Sequence, residues 1–257
     1  MVTNNKYSYM PIQQLFIATV DSTNNYLRRK LDEGYKAEGM LIVSTDNQTA
    51  GRGQRGNSWE SEPGKNLMFS ILTHPSVVPA SRQFIISQAM ALAILHVLKS
   101  ISPLHSQRFT VKWPNDIYYD NSKLGGTLIE CDLQGKNIDN CIIGTGLNVN
   151  QTRFVSDAPN PISLKQIFGR EFDRDVLLSA IIKEFADIYS QLTDGQATAV
   201  REEYTANLYR REGFHPYADA HGTFHARIAG IEESGHLLLL DDEGITRRYE
   251  FKEVRFT

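Results

Sequence analysis

The chain has 257 residues, 41% of them hydrophobic, and a formal net charge of -3. That is apolar content for one large domain, or one plus a small one, and the faintly acidic balance argues against nonspecific nucleic-acid binding, which calls for a basic domain. The two cysteines, Cys131 and Cys141, form no C-x-x-C pair, so neither a disulfide framework nor a zinc site is indicated and a reducing cytoplasm fits best.

The N-terminus, MVTNNKYSYMPIQQ, is polar and lacks a basic-then-apolar signal. No stretch approaches about 18 apolar residues, so neither export nor a membrane span is expected. QQLFIATV predicts a strand, and DSTNNYLRRKLDEG a helix capped by Ser22 or Thr23 and ended by Gly34. LIVST (41 to 45) predicts a second strand leading into GRGQRGNSW (51 to 59).

That loop carries the G-x-G-x-x-G spacing of a dinucleotide-binding turn. Such a turn must open a helix whose N-terminus holds a pyrophosphate, whereas here Pro63 and Gly64 break any helix that follows. The acidic residue expected about 20 positions on for a ribose is also missing, because no Asp or Glu lies between Glu62 and Asp116. No Gly-Lys-Ser/Thr or kinase partner motif occurs either. What remains is a flexible loop whose Arg52 and Arg55 can close over an anion. The acid-free stretch also holds Lys65, Arg82, Lys99, Arg108 and Lys112, a local positive surplus suited to a small anionic ligand, although Arg82 and Lys99 read more simply as solvated surface charges.

NLMFSIL predicts a third strand. A helix from about Pro79 to Lys99 follows, its buried face marked by Phe84, Ile85, Ala89, Leu92, Leu95 and Leu98. FTVKW, KLGGTLIECDL and NCIIGTGLNVN predict further β segments, and residues 173 to 207 are helical. Without regular β-α-β alternation, this order predicts an α+β fold with a mixed sheet. From Glu212 the texture changes to short β runs, TFHARIAGI, HLLLLDD and ITRRYEF, separated by the turn signals EESG and DDEG. These predict a small β barrel, giving a larger domain over residues 1 to 210 and a C-terminal domain over 211 to 257. His215, His221, His225 and His236 fall in that region without H-E-x-x-H spacing or cysteine partners, so surface or packing roles are favoured over zinc.

In KWPNDIYYDNSKLGGTLIE (112 to 130) the Trp-Pro pair ends a strand and presents Asn115 and Asp116 at a turn. The chain then returns in a hairpin with Lys123 within reach of Asp116. Gly125 and Gly126 interrupt a good strand, a mark of close approach by a ligand or another backbone. Taken singly, a turn Asp and a strand-opening Lys are ordinary surface chemistry. Trp59 and Trp113 read as core residues, GTGLN (144 to 148) as a turn closing its strand, and the cysteines as small buried residues.

Together, AGRGQRGNSW, KWPNDIYY, KLGGTLIE and IGTGLNVN, preceded by DSTN, resemble biotin protein ligase in order and spacing over nearly the whole chain. The resemblance implies a catalytic domain of the class II aminoacyl-tRNA synthetase and lipoate ligase type followed by an SH3-like barrel. It implies biotin and Mg-ATP as substrates, a biotinyl-5′-adenylate intermediate, and a lysine of a biotin carboxyl carrier domain as acceptor. By the same resemblance Ser22, Thr23, Asn24, Gln48, Arg52, Gly53, Gln54 and Lys123 match biotin contacts. Arg55, Trp59, Asn115, Lys123 and Asn148 match nucleotide-side positions, and Lys123, Arg52 and Asp116 match catalytic ones. Uncharged donors and acceptors suit a ureido ring, and cations suit a carboxylate meeting a phosphate. Many members carry a second arginine where this chain has Gln54, so Arg55 is the neighbouring candidate for phosphate contact.

No bound structural metal is expected from these cysteine and histidine patterns. No N-terminal helix-turn-helix is expected either, because the resemblance begins within about the first fifteen residues; DNA binding is therefore not expected, and a homodimer is left open. The competing readings are a lipoate or octanoyl ligase on the same fold and a non-catalytic biotin-sensing or carrier-binding module.

Overall fold

In the computed structural model, which describes residues 10–36, 38–155, 160–193 and 196–257, β1 (Ile12–Val20), α1 (Thr23–Asp32), β2 (Met40–Gln48), β3 (Leu67–Thr73) and α2 (Phe84–Ile101) come first. They are followed by β4 (Phe109–Lys112), β5 (Asp116–Tyr119), β6 (Ser122–Gln134), β7 (Asn137–Leu147) and three helices, α3 (Leu164–Phe168), α4 (Arg174–Thr193) and α5 (Ala197–Ala206). The side chains of Arg55 and Thr193, and most of the polar N-terminus, lie outside the described parts.

Seven strands form one sheet in the order β1-β2-β3-β7-β6-β5-β4. The β1–β2 pair is parallel and the rest are antiparallel, so the sheet is mixed, as the sequence predicts. Strand alternation divides the apolar residues between the two faces. Met40 and Ile42 of β2, with Phe69 and Ile71 of β3, join the main core under α2 and α4. Leu41, Val43, Leu72 and Ile142 turn the other way to a smaller core closed by Leu27 of α1.

The central helix departs from its predicted amphipathic form. Every residue of α2 from Ile85 to Leu95 is buried, because the sheet covers one side and α4 and α5 the other. A helix enclosed all round need not keep a polar stripe. With the turn before it, Ala80–Ile101 spans 22 residues of mean hydropathy 1.8 in its most apolar window, long and apolar enough to cross a membrane. The sequence reading, which found no such stretch, understated it. Here 72% of that window is buried in the protein, which is the condition of a core helix.

Two local expectations are also corrected. Ser22 is the N-cap of α1, yet its side chain makes no capping hydrogen bond; it is buried and lines a cavity instead. GTG is not a turn, since Gly144, Thr145 and Gly146 lie inside β7, paired on both sides. The short α3 escaped prediction, although Ser163 and Gln166 form a reciprocal capping box at its start.

The last part of the chain forms a five-stranded antiparallel sheet of β8 (His215–Asp219), β9 (Gly222–Ile231), β10 (Leu237–Asp241), β11 (Thr246–Tyr249) and β12 (Arg255–Phe256). Its order is β11-β10-β9-β8-β12. Its apolar residues Tyr217, Ile228, Leu237 and Leu239 are continuous with the main core, and Trp113 Nε1 donates to the Gly235 carbonyl across the junction, 2.9 Å away.

Candidate functional site

A cavity of about 760 Å³ opens on the α1 face of the large sheet, within the range of small-molecule sites. The chain from GRGQRGNSW forms one wall. It folds as a tight loop rather than a helix entry, closed by hydrogen bonds from Trp59 N to Gly51 O (3.0 Å) and from Gly53 N to Asn57 O (2.7 Å), with a single 3-10 turn at Gln54–Gly56. A Cβ on Gly51 would lie 2.6 Å from the Trp59 carbonyl, so glycine is what lets the two arms close.

The floor is glycine for the same reason. A Cβ on Gly144 would lie 2.0 Å from Asn24 Oδ1, and one on Gly146 would lie 2.3 Å from the Trp59 ring. The missing side chains of β7 therefore leave room for one residue from α1 and one from the loop.

At the α1 end the lining is uncharged. Gln48 Oε1 accepts from Thr23 N at 2.9 Å and lies 3.2 Å from Thr23 Oγ1. The fully buried Ser70 hydroxyl is 2.6 Å from both Thr23 Oγ1 and Asn24 Oδ1. An amide oxygen only accepts, so Ser70 gives its single proton to Asn24, and Thr23 is the donor toward Ser70 or Gln48. These fixed dipoles suit a neutral polar ring better than a charge.

At the other end the groups are charged. Lys123 Nζ is 2.7 Å from Asp116 Oδ1. Lys123 and Gly126 are three positions apart and would face opposite sides of a regular strand. Lys123 pairs with Tyr118, on the face of Asp116, and the register shift between Ile117 and Tyr118 inserts an extra residue in β6 that brings Gly126, opposite Asp116, onto that same face. A Cβ on Gly126 would lie 2.9 Å from Asp116 Oδ1, so the glycine keeps the pair's place clear. Lys112, opposite Asp116 in the β4–β5 pairing, adds a third charge; burial pushes its ammonium below the usual lysine range, against the pull of Asp116. Arg52, from the loop, is held instead beside the α1 end, 2.5 Å from Glu130 Oε1 and 2.6 Å from Asn25 Oδ1.

Asn115 and Asn148 line the same cavity and are buried, each spending its amide nitrogen on a backbone carbonyl, Thr127 O and Ile162 O respectively. Two buried polar atoms in the lining, Gln54 Oε1 and Trp59 Nε1, have no hydrogen-bond partner. Unsatisfied buried groups are costly and rare; here one is an unused donor, Trp59 Nε1, and the other an unused acceptor, Gln54 Oε1.

A model of the biotin/lipoate A/B protein ligase family matches residues 16–148, which run from β1 to the end of β7 and carry the cavity floor and loop. The chain belongs to the biotin/lipoate A/B protein ligase family. This member is 30% identical over 246 residues to the bifunctional ligase/repressor BirA of Bacillus spizizenii, covering 92% of this chain and 72% of that one. It is 27% identical over 239 residues to the biotin--[acetyl-CoA-carboxylase] ligase of Paracoccus denitrificans, covering 89% and 94%. Its fold matches the biotin protein ligase of Aquifex aeolicus in complex with biotin and ATP, with a TM-score of 0.78 at 24% identity over 95% of this chain and 99% of that one.

Every residue singled out from the sequence as a biotin or nucleotide contact of this family member lines the one cavity, except Arg55, whose side chain lies outside the described parts. Of the surplus cations in the acid-free stretch, only Lys112 lines it. Arg82 pairs with Glu233 at 2.7 Å, Lys99 contacts Asn207 and Arg108 contacts Asp120. Trp113 is a core residue, whereas Trp59 is not. Cys131 and Cys141 sit opposite each other on β6 and β7 with sulfurs 3.1 Å apart, a pairing their spacing alone did not announce. Among the described residues no group of three or more His, Cys, Asp or Glu side chains is placed to hold a metal ion. Sequence reasoning missed Ser70, which sits in an unremarkable strand position, and gave no role to Glu130, although it ends the KLGGTLIE motif.

Proposed function

We propose that the chain activates biotin with Mg-ATP and transfers the biotinyl group to a lysine of a biotin carboxyl carrier domain. A biotin carboxylate oxygen attacks the α-phosphorus, the bond to the bridging oxygen breaks and pyrophosphate leaves. The acceptor amine then attacks the acyl carbon, the bond to AMP breaks, and the amine gives up a proton.

The observation that carries this reading is the division of one cavity into a neutral polar end and a cationic end. The cationic end serves the first step, in which two anions must meet: preorganised positive charge where negative charge accumulates is the largest catalytic effect available. Lys123 is assigned to the carboxylate and the α-phosphate together, and Arg52, from the loop, to the acyl and phosphate end. Ser22, Thr23, Asn24 and Gln48 are assigned to the ureido ring, and Gly53 and Gln54 to the chain between. Trp59, Asn115 and Asn148 are assigned to the nucleotide, with Arg55 as a further phosphate contact. Asp116 draws in the acceptor ammonium and takes the released proton. Loop 51 to 59 shields the mixed anhydride from water.

Within this reading residues 1 to 210 form the catalytic domain and residues 211 to 257 a small β domain docked on it, with the reaction in a reducing cytoplasm. The deciding experiment is biotin-dependent release of pyrophosphate from ATP, followed by transfer to a purified carrier domain. Release without biotin dependence, or no release, sinks the proposal. The lipoate alternative is separated by thermal shift: biotin is expected to raise the melting temperature and lipoate to leave it unchanged.

A further inference from the structure

Glu130 lies outside the cavity lining, on β6, on the same face as Gly126 and Leu128, which do line it. Its two carboxylate oxygens are divided between two assigned contacts of the acyl substrate. Oε1 accepts from Arg52 Nη2 at 2.5 Å, and Oε2 accepts from Asn24 Nδ2 at 2.8 Å. Arg52 belongs to the glycine loop and Asn24 to α1, so one strand residue ties together elements that are 78 and 106 positions away in sequence.

The Asn24 bond settles an orientation. With a carboxylate on one side and the Ser70 hydroxyl on the other, the amide must point its nitrogen at Glu130 and its oxygen at Ser70, since a carboxylate cannot donate. The Arg52 bond fixes a direction. The Arg52 side chain is 41% exposed at the start of a glycine loop, and Glu130 with Asn25 holds its guanidinium against α1. Charge-assisted hydrogen bonds of this length are the strong ones, and pre-ordering both groups removes an entropy cost from ligand binding.

We propose that Glu130 is a positioning residue for the acyl substrate, presetting Asn24 and Arg52 at neighbouring points of the same site. The inference rests on the biotin reading above. Its test is biotin binding measured by titration calorimetry without ATP, on the full chain. Wild-type protein that fails to bind biotin sinks the functional reading, whatever Glu130 does.

Given wild-type binding, Glu130→Ala is expected to weaken biotin affinity about 10- to 100-fold, the range for losing hydrogen bonds to charged groups. Glu130→Gln, which keeps an acceptor for one partner, is expected to fall between the two and serves if the alanine variant does not fold. In an Arg52→Ala background the same Glu130→Ala change should cost clearly less, because one of its two partners is already gone. Unchanged affinity in a folded Glu130→Ala protein overturns the inference. So does an equal loss with and without Arg52. Tighter binding also overturns it, because Glu130 would then be competing with the ligand for Arg52.

Discussion

Lys123 lines the cavity 2.7 Å from the Asp116 carboxylate, and its substitution tests the charge argument most directly. Lys123→Ala removes the charge while leaving the β5–β6 hairpin's backbone pairing in place, so biotin-dependent pyrophosphate release is expected to fall about 100- to 1,000-fold, the scale for losing one preorganised charge-stabilising group. The melting temperature should stay near that of the wild type; a variant with full turnover would remove Lys123 from its role. Gly146 offers a steric test of the same site. Because an added Cβ would lie 2.3 Å from the Trp59 ring, Gly146→Ala should displace the indole and weaken nucleotide binding, read as changed tryptophan fluorescence together with a raised KM for ATP. An unchanged KM would show that the Trp59 position is not used by the nucleotide. The Asp116–Lys123 pair was legible in the sequence, since a proline-ended strand and a short turn bring the two residues together by local geometry alone. Ser70 and Glu130 were not: each gains its meaning from α1 lying across the sheet, a placement set by packing between distant segments.

Among the elements, the strands were the most legible because alternation and turn residues mark them; α3 went unread, and α2 was placed but its burial was misread. Its period of apolar residues looked like one buried stripe, yet enclosure by the sheet, α4 and α5 removes the need for a polar side. GTG illustrates the opposite failure: two glycines in a row of three read as a turn until α1 and the loop are laid over them. Helix α1 also has a titratable fastening. Asp21, just before its N-cap, accepts from Arg29 at 2.8 and 2.9 Å and from Asn25 at 2.9 Å. Chiefly through Arg29, these bonds hold its carboxyl well below the usual carboxylate range, against a smaller opposing effect of burial. A carboxyl lowered on folding stabilises the fold above its unfolded pKa and loses that contribution as the pH falls toward its folded value. Acidification below about pH 4 should therefore loosen the α1 segment that carries Thr23 and Asn24. Asp21→Asn should be less stable at neutral pH and show a shallower acid limb in a melting-temperature against pH series; an acid limb as steep as the wild type's would assign that dependence to other carboxylates.

At the scale of the whole molecule, the two sheets are joined through a small set of contacts around Gly235. Trp113 Nε1 donates to its carbonyl, Glu233 pairs with Arg82 at 2.7 Å and with Arg201 at 3.0 Å, and Phe251 meets the Trp113 ring edge-on at 6.3 Å. Trp113 precedes the Pro114-Asn115-Asp116 turn that enters the cavity, and Phe251 lines that cavity directly, so the C-terminal part of the chain helps form a wall of the cavity. The β texture of the C-terminal run and its docking on the larger part were visible in the sequence, but the contact at Gly235 was not, because exposed and docked glycine turns look alike until a partner surface is known. Gly235 has φ +95°, and a Cβ there would lie 2.9 Å from the Phe84 ring. Gly235→Ala therefore meets both a disfavoured backbone region and a clash with the start of α2. Relief requires the turn to lift, which lengthens or breaks the Trp113 bond. The wild type, with one continuous core running through both sheets, should melt in a single cooperative transition. Gly235→Ala should melt lower, with an earlier transition for the C-terminal sheet and faster proteolysis near residues 207 to 215. If the variant instead melts as one unit at the wild-type temperature, the Gly235 contact does not hold the sheets together, and the coupling lies in the shared apolar core alone.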